Sequence, residues 1–255
     1  MICFSVNSGS NGNSIYVESA GARLLFDAGL SGKQTALRLA QHGRDITQVS
    51  GVVISHDHSD HIRCAGVLAR KFGLSVYMTE KTYLAATGYG LGNIADLRLF
   101  DPDVPLEIGD ALIRAHRTPH DAAEPVIFTV EAAQRRLGIF TDLGNPFEGL
   151  ASLMGELDAA YLESNYDPDM LASGPYPPHL KQRIVGEHGH ISNLECAQLV
   201  RDHASPRLQW VALSHLSEAN NTPELALRTH RQVAGNQRHS YVADRYAVGA
   251  MLTVE

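Results

Sequence analysis

The chain has few cysteines and none of the spacings that would make them a framework. Its three cysteines, Cys3, Cys64 and Cys196, are odd in number and far apart, so they form neither a set of disulfides nor a CxxC pair. This usage favours a reducing compartment, and we expect a cytoplasmic protein. Cys64 follows a histidine-rich motif closely enough to be an extra metal ligand, but its position on a helix favours a role as a small core residue.

Long hydrophobic runs and excess positive charge are also missing. No run approaches the roughly 20 apolar residues that a membrane helix needs, and the first residues lack the basic flank of a signal peptide. We therefore expect no membrane partner. The net charge of −7 argues against a broadly basic surface for nucleic acid. It is compatible with a phosphate substrate, because bound divalent cations reverse the sign of the charge locally. The sequence leaves the oligomeric state open.

Strand and helix patterns alternate along the 255 residues. Without a linker-like or low-complexity segment, they predict one α/β domain over residues 1–255, built as a four-layered αβ/βα sandwich of two mixed sheets flanked by helices. The predicted strands are residues 2–6, 15–18, 23–26, 52–54, 75–78, 97–100, 112–116, 126–130, 136–140, 159–162, 209–213 and 240–243. The predicted helices are residues 34–41, 62–72, 80–86, 178–186, 193–203 and 223–234.

The densest chemical motif is His56-Asp57-His58-Ser59-Asp60-His61. It follows a buried strand and precedes a helix, with Ser59 as the expected N-cap, so it lies where α/β sheets usually carry their sites. His56 and His58 can bind one cation, and Asp60 and His61 can bind a second. Such ligands suit zinc, manganese or iron better than calcium or magnesium. The alternative is a solvated, histidine-rich loop.

Later residues can complete this site. His120, Asp142 and His215 lie beside predicted strands, and they supply a third ligand for each cation and a carboxylate that bridges the two. His116 competes with His120 for its place. Asp27, at the end of another strand, is either a carboxylate that orients a ligand histidine or a turn residue. Four further histidines are predicted to be solvated: His179, His203, His230 and His239.

The H-x-H-x-D-H pattern resembles the signature of the metallo-β-lactamase-fold hydrolases. Six further segments narrow the resemblance to the WalJ-type (YycJ-like) proteins, relatives of ribonuclease Z, and it extends over essentially the whole chain. These segments are residues 8–13 (SGSNGN), 119–122 (PHDA), 163–167 (ESNYD), 180–184 (LKQRI), 189–193 (GHISN) and 215–217 (HLS).

The resemblance implies a metallo-β-lactamase fold and a bacterial phosphodiesterase, acting on DNA as a 5′-to-3′ exonuclease. It also favours His120 over His116 as the ligand. His190 matches the catalytic histidine of the ribonuclease Z relatives, although it could be incidental to a helix cap. Glu163 either orients His190 or is structural. The sequence departs from the pattern of this family at Ile191, where leucine is expected.

The mechanism that we expect uses two divalent metal ions, Zn²⁺ or Mn²⁺ or iron, to activate a bridging water. Asp60 orients or deprotonates this water, and His190 stabilises the phosphoryl oxygens or protonates the leaving alkoxide. Neighbouring phosphates are expected to contact a polar loop and a helix. The candidate residues are Ser10, Asn11, Asn13, Lys181 and Arg183. The alternative reading is a plain hairpin loop and ordinary surface charges.

Two other functions fit the same residues. One is a small-molecule phosphodiesterase that cleaves a cyclic or nucleotide phosphoester, which the acidic net charge favours. The other is a metal-binding regulatory protein without catalytic activity, against which the complete ligand set argues. Thioester or lactam hydrolysis fits less well, because the Gly-His-Ile-Ser segment accompanies phosphodiester chemistry in the family that the sequence resembles.

Overall fold

The strand around Leu24 and Leu25 shows how the layers are arranged. Neighbouring residues of a strand point to opposite faces, and here both faces are buried. Leu24 packs with residues of a second sheet such as Phe128, whereas Leu25 packs with helical residues such as Leu68. In the second half of the chain, Tyr161 and Leu162 divide in the same way, so each sheet has the other sheet on one side and helices on the other.

The computed structural model describes residues 1–255. In the first half, the strands are β1 (Ile2–Asn7), β2 (Ser14–Glu18), β3 (Arg23–Phe26), β4 (Gly51–Val53), β5 (Ser75–Met78) and β6 (Leu97–Leu99). The helices of this half are α1 (Gly32–Gln41), α2 (Ser59–Ile62), α3 (Ala65–Phe72) and α4 (Glu80–Ala85), and a short 3₁₀ helix (Ala86–Tyr89) follows α4.

The second half adds β7 (Leu106–Ile108), β8 (Ala111–Arg117), β9 (Val126–Ala132), β10 (Arg135–Phe140), β11 (Ala159–Glu163), β12 (Trp210–Ser214) and β13 (His239–Val242), and the chain closes with β14 (Leu252–Thr253). Its helices are α5 (Leu150–Met154), α6 (Pro168–Ser173), α7 (Pro178–Val185), α8 (Asn193–His203) and α9 (Pro223–Ala234).

The two sheets have seven strands each, in the orders β14-β1-β2-β3-β4-β5-β6 and β13-β12-β11-β10-β9-β8-β7. Both are mixed: β1 to β3 and β7 to β10 pair antiparallel, whereas β3 to β6 and β10 to β13 pair parallel. The predicted fold class is confirmed. No helix combines the length and the apolar character that crossing a membrane requires.

The region after β4 departs from the prediction. Ser59 is the first residue of α2 instead of its N-cap; His58 holds the cap position, and its side chain makes no capping hydrogen bond. The single predicted helix is divided into α2 and α3. The division has a physical cause, because the Cys64 N–H bonds the Ala28 carbonyl and draws the chain toward the loop after β3.

Candidate active site

Five strands end at the same place in the molecule, three in one sheet and two in the other. Asp27 follows β3, Asp142 follows β10, Glu163 ends β11, and His56 and His215 come shortly after β4 and β12. Because β3 and β4 are parallel, as are β10, β11 and β12, these residues all lie at the carboxyl edges of their sheets.

All seven predicted metal ligands converge in one cluster at this edge. Two groups match the two predicted sites, with their ligand atoms within 4.8 Å of one another: His56, His58 and His120, and Asp60, His61 and His215. Asp142 lies between them. One of its oxygens is 3.2 Å from His61 Nε2, and the other is 3.3 Å from His215 Nδ1 and 3.6 Å from His120 Nε2. This is the position that a bridging carboxylate requires.

Each histidine of the cluster has one ring nitrogen that contacts a partner outside it. This arrangement is characteristic of metal-binding histidines, because the outer hydrogen bond fixes the ring and directs the other nitrogen toward the metal site. The pairs are His56 Nδ1 with Ser55 Oγ (2.9 Å), His58 Nε2 with the Asp121 carbonyl (3.0 Å), His61 Nδ1 with Asp27 Oδ2 (2.7 Å), His120 Nδ1 with the Gly189 carbonyl (2.9 Å) and His215 Nδ1 with Glu163 Oε1 (3.4 Å).

The cluster also contains buried polar atoms without hydrogen-bond partners, namely His56 Nε2, Asp142 Oδ2 and His215 Nε2. An unpartnered buried polar group is costly and therefore rare in native proteins. Here the three atoms carry lone pairs of the kind that bind divalent metal ions. The donor set therefore fits divalent metal ions.

The electrostatics of the cluster are those of a cation site. Burial would lower the pKa of His215, but the carboxylates of Asp142, Asp60 and Glu163 raise it to about 10. Burial would raise the pKa of Asp60, but His61 and His215 lower it to about 2. Without a metal ion, protons on histidine thus compensate the carboxylates, and a bound cation would replace those protons.

Backbone strain is concentrated at the same place. Asp27, Asp142 and His215 have φ angles of 69°, 56° and 56°, in the left-handed region that side chains other than glycine seldom adopt. Residues held in such conformations cluster at functional sites, where the surrounding structure compensates their cost. Each of these strained residues turns the chain sharply at a strand end and so directs a carboxylate or an imidazole into the cluster.

His190 lies beside the cluster and is held by Glu163. The two side chains approach to 2.6 Å, between His190 Nδ1 and Glu163 Oε1. Glu163 is fully buried, and its second oxygen accepts the Leu143 N–H at 2.9 Å. Burial would raise the pKa of Glu163, but His190 and His215 lower it to about 2. The ionised carboxylate can only accept, so Nδ1 of His190 donates and its Nε2 remains free.

The loop of residues 8–13 contacts the cluster at both of its ends. At its first residue, Ser8 Oγ accepts the His215 N–H at 2.7 Å. Asn13 is buried, and its Nδ2 lies 3.1 Å from Asp60 Oδ2 and 2.9 Å from His61 Nε2. Ser10 and Asn11 instead contact Arg245, near the end of the chain: Ser10 Oγ accepts from its guanidinium, and Asn11 Nδ2 donates to its carbonyl. The Arg245 contact was not predicted, since no local motif marks that residue.

The two predicted basic residues on α7 differ in their surroundings. Arg183 pairs with Asp121 (Nε to Oδ2, 2.6 Å), and the carbonyl of Asp121 contacts His58, so Arg183 is linked to the cluster. Lys181 bonds the Ala172 carbonyl and has no such link. Asp121 was not predicted, although it adjoins His120.

Three other residues that the sequence analysis considered lie outside the cluster. His116 lies on β8, where its Nε2 pairs with Thr129 Oγ1 at 3.0 Å, outside the groups of the cluster; Cys64 is outside them too. The prediction that His230 is solvated is wrong, because this residue lies on the buried face of α9. Its position on α9 faces inward, which its short-range sequence context does not reveal.

Comparison with known proteins identifies the superfamily of this chain. The model of the metallo-beta-lactamase superfamily matches residues 8–150, which is more than half of the chain and includes six of the seven predicted ligands. The short form of human tRNase Z has the same fold, with a TM-score of 0.68 and 15% identity over 100% of both chains. The protein belongs to the metallo-β-lactamase superfamily, whose members are metal-dependent hydrolases.

Two relatives show which group within the superfamily this chain resembles. Over 228 residues the chain is 39% identical to "Exodeoxyribonuclease YycJ" of Bacillus anthracis, covering 89% of this chain and 86% of the relative. It is 36% identical over 225 residues to "Exodeoxyribonuclease WalJ" of Streptococcus pneumoniae serotype 2 (strain D39 / NCTC 7466), covering 87% and 84%. Within the superfamily, the chain belongs with these YycJ- and WalJ-type proteins, and the predicted resemblance is confirmed.

Proposed function

We propose that the protein is a phosphodiesterase that acts on DNA as a 5′-to-3′ exonuclease, with two divalent metal ions (zinc, manganese or iron). One observation carries the proposal. The His190 ring lies between the two ligand groups, with its centroid 5.0 Å from that of His120 and 5.2 Å from that of His215, and Glu163 holds it there. A histidine beside two cation sites suits a reaction that develops negative charge on several oxygens. The names of the two relatives support DNA as the substrate.

The metal ligands in this proposal are His56, His58 and His120 for one ion, and Asp60, His61 and His215 for the other, with Asp142 shared. Bound divalent ions supply Lewis-acid activation of water and of phosphoryl oxygens. The Asp60 carboxylate is ionised near neutral pH, as carboxylates ordinarily are, and can orient a water molecule by accepting its hydrogen bond.

His190 takes the second role. Its Nδ1–H is committed to Glu163, so Nε2 is the atom available to the substrate. When the ring carries a second proton on Nε2, it gives that proton to a phosphoryl oxygen or to the leaving alkoxide and returns to the neutral form. Glu163 therefore positions His190 and does not itself touch the substrate. Ser10, Asn11, Lys181 and Arg183 are proposed to bind neighbouring phosphates, whereas the buried amide of Asn13 is better suited to orienting Asp60.

A substrate panel tests the proposal. Protein reconstituted with manganese or zinc is offered 5′-phosphorylated single-stranded DNA, duplex DNA and cyclic nucleotides, beside its His190→Ala variant. We expect DNA cleavage that chelation abolishes and that His190→Ala lowers about 100-fold or more. Turnover of cyclic nucleotides alone would establish the small-molecule alternative. Bound metal without turnover of any phosphoester would establish the regulatory one.

Two further proposals concern the chain as a whole. Residues 1–255 are proposed to be one domain, which the pairing of the first strand, β1, with the last, β14, supports. A cytoplasmic location is proposed because the three cysteines are free thiols, two of them buried, as is usual in a reducing compartment.

A further inference from the structure

A cavity of about 200 Å³ lies next to the segment that carries His215. The His215 N–H donates to Ser8 Oγ at 2.7 Å, so the cavity shares a wall with the cluster. It is smaller than sites that hold drug-sized ligands, about 300–1,000 Å³. Its size suits one planar ring or one sugar. The residues that line it include Ser8, Leu216, Ser217, Asn221, Arg245 and Tyr246.

Arg245 joins this cavity to the loop of residues 8–13. Its Nη2 donates to Ser10 Oγ at 2.9 Å, and its Nη1 lies 3.4 Å from the carbonyl of Leu216, the residue after His215. Gly9 makes the approach feasible, since a Cβ there would lie 2.6 Å from Nη1. Nε of Arg245 is buried and cannot meet an incoming group, whereas Nη1 carries two N–H donors and has only the long contact with Leu216.

Tyr246 places an aromatic ring at the mouth of the cavity. Its side chain is 66% exposed, unusually high for a residue of this size and type, and its ring lies 6.0 Å from the guanidinium carbon of Arg245. Glu218 contacts both residues: its carboxylate is 3.2 Å from Arg245 Nη2, and it accepts from the Tyr246 hydroxyl. The side chain of Glu218 is 62% exposed and that of Arg245 is 15% exposed, so the carboxylate can move into solvent and leave the guanidinium to an incoming anion.

We propose that Arg245 and Tyr246 form a nucleotide subsite for single-stranded DNA, which rests on the proposed nuclease function and specifies how its substrate is held. A base stacks on the Tyr246 ring at the cavity mouth, and the adjoining phosphate binds the Arg245 guanidinium in place of Glu218. An aromatic platform beside a cationic side chain is the combination by which proteins bind single strands without sequence preference. The subsite explains how a chain of net charge −7 binds DNA, since it concentrates recognition at one place.

The test is the Kd of a hydrolysis-resistant, phosphorothioate-linked, 5′-phosphorylated oligonucleotide for metal-reconstituted protein. Tyr246→Leu is expected to raise this Kd about 10-fold, as loss of one base–aromatic stack does. Tyr246→Phe keeps the ring and is expected to leave the Kd within twofold. The matched control is Tyr89→Leu, which removes another exposed tyrosine, on the segment after α4. An unchanged Kd for Tyr246→Leu, or an equal rise for Tyr246→Phe, would overturn the subsite.

Glu218→Gln gives a test in the opposite direction. Without the competing carboxylate, Arg245 is free for phosphate, and the Kd is expected to fall about threefold at low salt. Glu107→Gln, on the exposed edge strand β7, controls for the change in net charge. A Kd that rises in Glu218→Gln, or falls equally in both variants, would contradict the proposal.

Failure of the subsite is distinguishable from failure of the nuclease function. If DNA is cleaved but the Kd is indifferent to Tyr246, only the subsite is wrong. If the oligonucleotide binds through Tyr246 but DNA is never cleaved, only the catalytic proposal is wrong. If the oligonucleotide does not bind at all, both are wrong.

Discussion

Replacing Glu163 by glutamine tests how the catalytic histidine is held. Glutamine has the same shape but carries an amide NH₂ where glutamate has an accepting oxygen. Glu163 uses both oxygens, one for His190 Nδ1 at 2.6 Å and one for the Leu143 N–H at 2.9 Å, and the side chain is fully buried. In Glu163→Gln, the new NH₂ group must therefore face either the Leu143 N–H or the His190 Nδ1–H, which places two donors against each other, or His190 must change its tautomer.

Both outcomes have expected magnitudes. An unsatisfied buried donor costs about 1–3 kcal/mol of unfolding free energy. Loss of an outer partner of a catalytic or metal-binding histidine typically lowers activity by about 10–100-fold. We expect kcat for single-stranded DNA to fall by this factor and KM to change less, because Glu163 acts on His190 and does not touch the substrate.

The assay is steady-state cleavage of 5′-phosphorylated DNA by protein of verified metal content, with urea unfolding beside it. Glu195→Gln is the matched control. Glu195 completes the capping box of α8 with Ser192, a position where glutamine serves equally well, so this variant should behave as the wild type. A kcat for Glu163→Gln within twofold of the wild type, at equal metal content, would refute the reasoning.

Three further predictions concern Gly29, Asp142 and His230. In Gly29→Ala the new Cβ would lie 1.8 Å from the Asp60 carbonyl oxygen, so urea unfolding should show a loss of about 1–3 kcal/mol, whereas Gly88→Ala, with open space, should show none. Asp142→Asn removes the shared anionic ligand, so metal analysis after dialysis should find less bound metal than in the wild type; equal content would show that Asp142 is not a ligand. Burial and the nearby arginines lower the pKa of His230 to about 4. As the pH falls, His230 is therefore protonated in the unfolded protein before it is protonated in the folded protein. The stability that is present above pH 6.5 is lost as the pH falls toward 4. His230→Gln should flatten that loss by about 3 kcal/mol, and an unchanged slope in urea unfolding from pH 7 to 4 would contradict it.

The sequence predicts the parts of this molecule in which chemistry is local. The motif from His56 to His61 has four candidate ligands in six positions between a strand and a helix, and short runs of apolar residues predict most strands. Short elements escape this reasoning: β7, β14 and α5 have three, two and five residues, too few to show a period. They depend on partners that are distant in sequence, as β14 depends on β1.

Contacts between distant segments could not be predicted for the same reason. Asp27 could be read from the sequence as an outer partner or a turn residue, and only the fold brings it to 2.7 Å from His61. Arg245 reaches Ser10 across 235 residues, and no motif surrounds it. Ser59 was expected to cap a helix from its local context, but it is the first residue of α2, and the tertiary contact of Cys64 with Ala28 separates this short helix from α3.

The central claim is that this cluster hydrolyses DNA phosphodiesters from the 5′ end with bound metal ions. Its most direct test is a time course on single-stranded DNA labelled at the 5′ end or at the 3′ end, with metal-reconstituted and chelator-treated protein. We expect the 5′ label to appear at once in mononucleotides, the 3′ label to stay in progressively shorter strands, and chelation to stop both. Intact DNA in the presence of metal, or cleavage that continues after the metal is removed, would contradict it.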